Sequence, residues 1–168
     1  MEYLLREAGR IGISLQKAVG KVWLGELVGN PYLVAALSAW ALAQVVKTLL
    51  YWALNRHLDI RRLFGDGGMP SGHSATVSAL AAMCAIADGS GSVEFAVSAV
   101  LAVIVCHDAM GVRRETGKQA QALNRLLKAF EPGNQPDLKE LVGHTPLQVV
   151  AGILLGIGNT LVLGNYLL

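Results

Sequence analysis

Long apolar runs separated by polar connections set the layout of this chain. Residues 31 to 54 are apolar apart from Ser38, Gln44, Lys47 and Thr48. At about 1.5 Å of rise per residue such a helix crosses the ~30 Å hydrocarbon core of a bilayer. Asn30-Pro31 punctuates the chain ahead of it and marks its start. A second apolar helix is predicted from about Gly72 to Ala87, short for a span, with Ala75, Ser78, Ala79 and Ala82 forming a small-residue face. The turn Asp88-Gly89-Ser90-Gly91-Ser92 leads into a third, from about Val93 to Met110. The fourth begins at Thr145-Pro146-Leu147-Gln148, a capping-box pattern with Pro at the first helical position, and runs apolar to Leu168. Gly152 and Gly156 give it a small-xxx-small face suited to a neighbouring helix, which makes a homodimer one expectation.

Two further segments have helical periodicity of a different kind. In residues 11 to 28, Ile11, Leu15, Val19, Val22, Trp23 and Leu27 recur at three- and four-residue spacing with Gln16, Lys17, Lys21 and Glu26 between them. This amphipathic helix either lies in the membrane interface or packs on the bundle. Between about Glu115 and Phe130 the positions Ala120, Leu123, Leu126, Leu127 and Phe130 predict a helix inside the longest polar stretch, ended by Glu131-Pro132-Gly133. The expected fold is therefore all-α: an integral membrane bundle of about four transmembrane helices, an amphipathic N-terminal helix over residues 1–30, and a polar helix between the third and fourth spans. Residues 1–168 form one domain, with the core in 31–168.

Composition agrees with a membrane setting. Apolar residues make up 53% and charged ones 15%, against the roughly 25% charged that is usual in soluble domains. A net charge of +2 without a long basic run sets nucleic acid aside as a partner. Cys84 and Cys106 fall inside apolar runs and carry no disulfide or zinc signal. No signal peptide is read at the N-terminus. A multi-pass protein of a bacterial inner or plasma membrane is the expectation.

Antiparallel helices joined by short turns would bring the chemistry to one end. Lys47 and Arg56 lie at or after the end of the first span, Ser71, Gly72 and His73 open the second, Asp108, Arg113 and Arg114 close the third, and His144 precedes the fourth. The 88–94 turn holds no Lys or Arg. Ser71 is a natural N-cap, and helix N-termini present unpaired N–H groups and a positive dipole end to anions. The cation excess places this end in the cytoplasm by the positive-inside rule.

Four pieces in this order carry a resemblance: Gly67 to Ala75 (Gly-Gly-Met-Pro-Ser-Gly-His-Ser-Ala), Asp108 to Arg114 (Asp-Ala-Met-Gly-Val-Arg-Arg), Gly117-Lys118-Gln119-Ala120 with Asn124, and Leu141 to Pro146 (Leu-Val-Gly-His-Thr-Pro). With Lys47 ahead of them, the chain resembles the superfamily of type 2 phosphatidic acid phosphatases and vanadium haloperoxidases, and more closely its divergent branch of small bacterial membrane proteins. The resemblance implies a lipid phosphatase working through a phosphohistidine. It makes His144 the nucleophile and His73 the proton donor to the leaving oxygen. Lys47 and Arg113 or Arg114 would grip the phosphate, with Ser71 and the Gly72 N–H donating to it. No cofactor is implied, and metal independence is expected, although Asp108 and Glu115 leave room for a divalent ion.

The chain departs from the superfamily pattern at three points. Leu54 occupies the place of the first-motif arginine, so Arg56, Arg61 or Arg62 is the substitute. Some thirty residues separate Arg113 and Arg114 from His144 where the superfamily has only a few, so an inserted helix must close the site. The acidic residue expected one turn after the nucleophile is Gln148; either Gln148 or Asp108 then orients His144. The competing expectation is a non-catalytic membrane protein that binds anionic headgroups or a protein partner through the same cationic end.

Overall fold

A computed structural model describes residues 23, 25–57, 68–130, 138, 140 and 143–168. Most of the amphipathic N-terminal segment lies outside the described residues, as do Arg61, Arg62, Gly67 and the Glu131-Pro132-Gly133 terminator. Five long helices are described: α1 (Pro31–Asn55), α2 (Gly72–Ala87), α3 (Val93–Met110), α4 (Val112–Phe130) and α5 (Pro146–Leu167).

Side-chain caps at the N-termini decide where four of them start. Asn30 accepts from the Tyr32 and Leu33 N–H groups, Ser71 from Ser74, Ser92 from Phe95, and Thr145 from Gln148. Each removes an orphan donor that the helix cannot satisfy itself. At Gly111 the backbone leaves the helical region, with ψ −96°, and α4 begins at the next residue. The polar helix thus starts earlier than its apolar periodicity implied, because α3 bends at Gly111 rather than ending in a loop.

Three helical stretches are long and apolar enough to cross a membrane, beginning at Pro31, Val93 and Pro146. The fourth apolar helix, α2, has 16 residues and is shorter than these three, as its sequence predicts. It is also the centre of the bundle, packed against α1, α3 and α5. Shielding by three neighbours explains its composition. Its inward residues are small, Gly72, Ser74, Ala75, Ser78 and Ala79, and its only large fully buried side chain is Met83.

The interior is built from small residues and the exterior from large ones. Ala39 and Ala43 of α1 meet Ala75 and Ala79 of α2. A Cβ placed on Gly152 would collide with the Ser71 carbonyl oxygen, and one on Gly156 with the Ala75 carbonyl and Ser78 Oγ. The glycine face of α5 is therefore occupied by α2 of the same chain and is not offered to a second copy. Hydroxyls supply polar contacts across these close approaches: Thr160 Oγ1 donates to the Ala79 carbonyl at 3.2 Å and Ser78 Oγ to that of Ile153 at 3.3 Å. Such bonds in a bilayer average roughly 0.6 kcal/mol, so close packing carries most of the association. Leu37, Leu49, Val97, Val103, Leu154 and Leu161 point outward. That outer belt is costly in water and natural against lipid.

Contacts at both ends confirm the up-and-down order. At one end Tyr32 Oη donates to Asp88 Oδ1 at 2.7 Å, joining the start of α1 to the end of α2. At the other, the Ser71 N–H donates to the Gln148 carbonyl at 3.0 Å and the His144 N–H to that of Ala109 at 2.9 Å.

Candidate functional site

The starts of α2 and α5 bring the two histidines together. His73 and His144 have ring centroids 6.2 Å apart, tilted by 58°. His73 rides on the first turn of α2, where the Ser71 cap fixes the helix start. His144 stands two residues before α5 and is 4% exposed. Its backbone is held on one side by Ala109 of α3. On the other side Gly143, at φ +82°, lies so close to the backbone of Arg113 and Arg114 that a Cβ there would overlap it. Only glycine fits a left-handed conformation against a neighbouring main chain.

Gln148 stands beside the ring. Its Oε1 lies 3.4 Å from His144 Nδ1 and also accepts the Thr145 N–H at 3.0 Å, so one amide completes the capping box and faces the histidine. The same oxygen serves the helix cap and faces the histidine.

Burial pushes the His144 pKa below the ordinary histidine value of 6.5, and the nearby Lys47 and His73 push the same way. The hydrogen bonds with Gln148 and the Gly68 backbone oppose this without cancelling it. The imidazole is therefore neutral at pH 7. In the tautomer that turns Nδ1–H to Gln148, the lone pair is on Nε2.

Lys47 is 5% exposed and donates from Nζ to Gln44 Oε1 at 2.8 Å. Its methylenes lie under Gly68, the φ +87° residue at the start of the Pro-Ser-Gly-His turn. A lysine buried in a spanning helix is expensive unless its head meets polar groups. Here it is bent towards the end of the bundle where the histidines stand. Gly72 lies beside Gln44 and Trp40, which seats the start of α2 on the same stretch of α1.

Other expected positions stand elsewhere. Arg56 is the exposed, left-handed C-cap of α1, at φ 54°, and among the described contacts it meets none of the residues above. Arg56 directly follows the helix, and its side chain is exposed. Asp108 accepts from Arg113 Nε at 2.8 Å, both side chains being about half exposed, so this carboxylate is engaged by arginine rather than by His144. The Ser71 N–H is spent on Gln148, and its Oγ accepts from both Ser74 N and Ser74 Oγ. Only the hydroxyl proton of Ser71 is left to donate elsewhere. Arg114 is placed by the Gly143 contact through its backbone, with an exposed side chain. Glu115 pairs with Lys118 at 2.6 Å. Among the described residues no three His, Cys, Asp or Glu side chains cluster as a metal site would require.

One residue was visible in the sequence only as part of a motif. Asn124 of α4 is 3% exposed and makes three bonds to the segment that leads to His144. Its Nδ2 donates to the Leu138 carbonyl and to Glu140 Oε1, and its Oδ1 accepts the Leu138 N–H, all at 2.9 Å. An amide can pair with a backbone N–H and C=O at once, which a carboxylate cannot. The signal was an Asn on a helix one and two turns after the small residues Ala120 and Gly117; its partner fourteen residues on was not readable.

An apolar groove of about 550 Å³ runs between α2, α3 and α5, lined by Ala82, Ala99, Val103, Met110, Ile153 and Ile157 among others. Its Met110 end adjoins Ala109, the residue that holds the His144 backbone.

Comparison with known proteins accounts for this combination of motifs. Residues 28–159 match the family described as the divergent PAP2 family. The chain belongs to that family. It is 43% identical over 155 residues to the Bacillus subtilis (strain 168) membrane protein YuiD, described as uncharacterized, covering 84% of this chain and 98% of the relative. No solved structure matches it. The matched stretch runs from α1 through most of α5 and includes α4, so the inserted helix belongs to the family pattern. The protein is thus a multi-pass membrane protein of the divergent PAP2 family.

Proposed function

We propose that this protein hydrolyses a phosphomonoester or diphosphate on a lipid, with His144 as nucleophile and His73 as general acid. The observation that carries the reading is the buried His144 facing His73 across 6.2 Å, with Lys47 close enough to depress its pKa. Phosphoryl transfer asks for charge neutralisation and alignment, and a neutral imidazole supplies the attacking lone pair.

In the proposed cycle Nε2 of His144 bonds to phosphorus as the bond to the leaving oxygen breaks, and His73 gives that oxygen its proton. Water then attacks the phosphohistidine, with His73 taking the water's proton, which frees phosphate and restores His144. Lys47, with Arg113 or Arg114, balances the phosphate charge. The Ser71 hydroxyl and the Gly72 N–H donate to its oxygens. The apolar groove between α2, α3 and α5 suits the hydrocarbon part of such a substrate. No metal enters this scheme.

The test is phosphate release in detergent from phosphatidic acid, phosphatidylglycerophosphate and a polyprenyl diphosphate, with and without EDTA. Wild type is expected to release phosphate from at least one of them, EDTA to leave the rate unchanged, and His144→Ala to lower it roughly 10³-fold or more. Equal rates in wild type and His144→Ala would overturn the reading.

A second reading is favoured by one observation, the amide of Gln148 where a carboxylate would stabilise an imidazolium. It makes the protein a binder of anionic headgroups with little turnover. Headgroup binding that survives His144→Ala and His73→Ala but is lost on charge reversal at Arg114 would establish it.

A further inference from the structure

The helix α4 has three distinct sides, and contacts among the described residues account for only one of them. A narrow strip, Gly117, Ala120 and Asn124, is buried, and Asn124 uses it to hold the segment at Leu138 and Glu140. A second side carries cations, including Arg114, Lys118 and Arg125. The third is apolar: Val112, Leu123, Leu126 and Phe130 fall at helical spacing and are 67%, 49%, 54% and 81% exposed. Among the described helices, α4 contacts only α3, the helix it continues. A strongly amphipathic helix whose apolar side meets none of the other described helices has a surface that those helices leave unpartnered.

We propose that α4 is a membrane-surface helix, lying along the bilayer–water boundary with Val112, Leu123, Leu126 and Phe130 in the acyl region and its cations at the level of anionic lipid phosphates. Position is the first support. The spanning helix α3 ends at Met110 and α4 starts at Val112, so its first turn is at the boundary by construction. The apolar side also continues the lipid-facing belt of α3, which includes Val103 and Ile104.

Charge is the second support. Residues 112–130 contain five Lys or Arg and a single carboxylate, Glu115, a local excess of four positive charges in a chain whose total is +2. Basic amphipathic helices of this kind bind the interfaces of anionic bilayers. The same excess disfavours the other occupant of an apolar face, a second copy of this helix, since pairing would bring two cationic surfaces together.

Depth measurement on the full chain in vesicles tests this. Single cysteines at Leu126, Phe130, Lys118 and Arg125, in a background with Cys84 and Cys106 replaced by Ala, carry a bimane label. A shallow nitroxide lipid is expected to quench the label at Leu126 and Phe130, and aqueous iodide the label at Lys118 and Arg125. Replacing part of the phosphatidylcholine with phosphatidylglycerol strengthens the nitroxide quenching at Leu126. Reversing Lys118, Arg125 and Lys128 to Glu removes that gain, since each cation near an anionic surface is worth about fivefold in partitioning. Iodide reaching all four positions equally would overturn the proposal. So would protection at Leu126 that appears only where the same cysteine cross-links to a second copy. Phe130→Cys, at the exposed end of the helix, serves if a mid-helix variant folds poorly.

Discussion

The two ends of the bundle are capped alike and built differently. At the Asp88–Ser92 end a five-residue turn joins α2 to α3, Ser92 caps the new helix, and Tyr32 bonds Asp88 across to α1. Among the described residues no Lys, Arg, His, Asp or Glu is buried there, the thiol of Cys84 being the one buried group that could ionise. At the other end Ser71 and Thr145 cap just as well, yet Lys47 and His144 are buried within the same few turns. A fold needs caps at both ends; it needs buried ionisable groups at neither. Their presence at one end is a cost that packing does not explain, and such costs gather where chemistry is done.

Substitutions at the two ends should therefore separate function from stability. Replacing the buried cation is expected to have the largest effect: Lys47→Met, which keeps the methylene stem under Gly68, lowers phosphate release roughly 10²–10³-fold while the thermal midpoint in detergent holds. If activity survives Lys47→Met, the buried cation is structural and the contrast between the ends fails.

Next comes the frame around the nucleophile. Asn124→Ala removes three hydrogen bonds to the segment leading to His144 and is expected to lower kcat about tenfold with little change in KM. A rise in KM alone would mean that this segment binds substrate and does not aim the histidine.

Gln148→Glu sharpens the comparison in pH. A carboxylate can still accept the Thr145 N–H, so the cap survives. His144 must be neutral to attack, and its depressed pKa puts the acidic limb of kcat/KM below 6.5 in the wild type. A negative charge beside the ring favours the imidazolium, so the limb moves to higher pH in the variant. The rate on the plateau is expected to rise a few-fold as the charged ring is stabilised. A limb that stays in place would show that another group sets it.

The smallest effect is expected at the far end. Tyr32→Phe removes the bond to Asp88 and costs about 1 kcal/mol of stability, read as a lower thermal midpoint, with activity within about twofold of wild type. A large loss of activity there would contradict the division of labour between the two ends.

Much of this architecture was legible in the residues. The bounds of α2 and α3 follow from Ser71 and Ser92, because a cap is a local interaction between residues three apart. The grouping of Lys47, Ser71, His73 and His144 came from alternation of helix direction alone. Long-range pairings were not legible. Gly152 and Gly156 advertise a close helix contact, but the same pattern serves a partner inside the chain or outside it, and here α2 takes the place of a second copy. Asp108 and Arg113 are five apart across the bend at Gly111, and only the bend decides that they meet. Arg56 is set outside by a left-handed cap that its sequence neighbours do not announce.

The shortness of α2 has a consequence for the molecules that can reach the histidines. Sixteen residues span about 24 Å, some 6 Å less than the hydrocarbon core. Were the Asp88 end level with one surface, Ser71 and His73 would lie below the opposite headgroup plane. A phosphate joined directly to a greasy chain can descend that far, because the chain behind it is as apolar as the surrounding lipid. A phosphate held out on a bulky polar headgroup would have to drag that headgroup below the water line. Under the proposed function, depth in such a site would select among lipids before any side chain touched them.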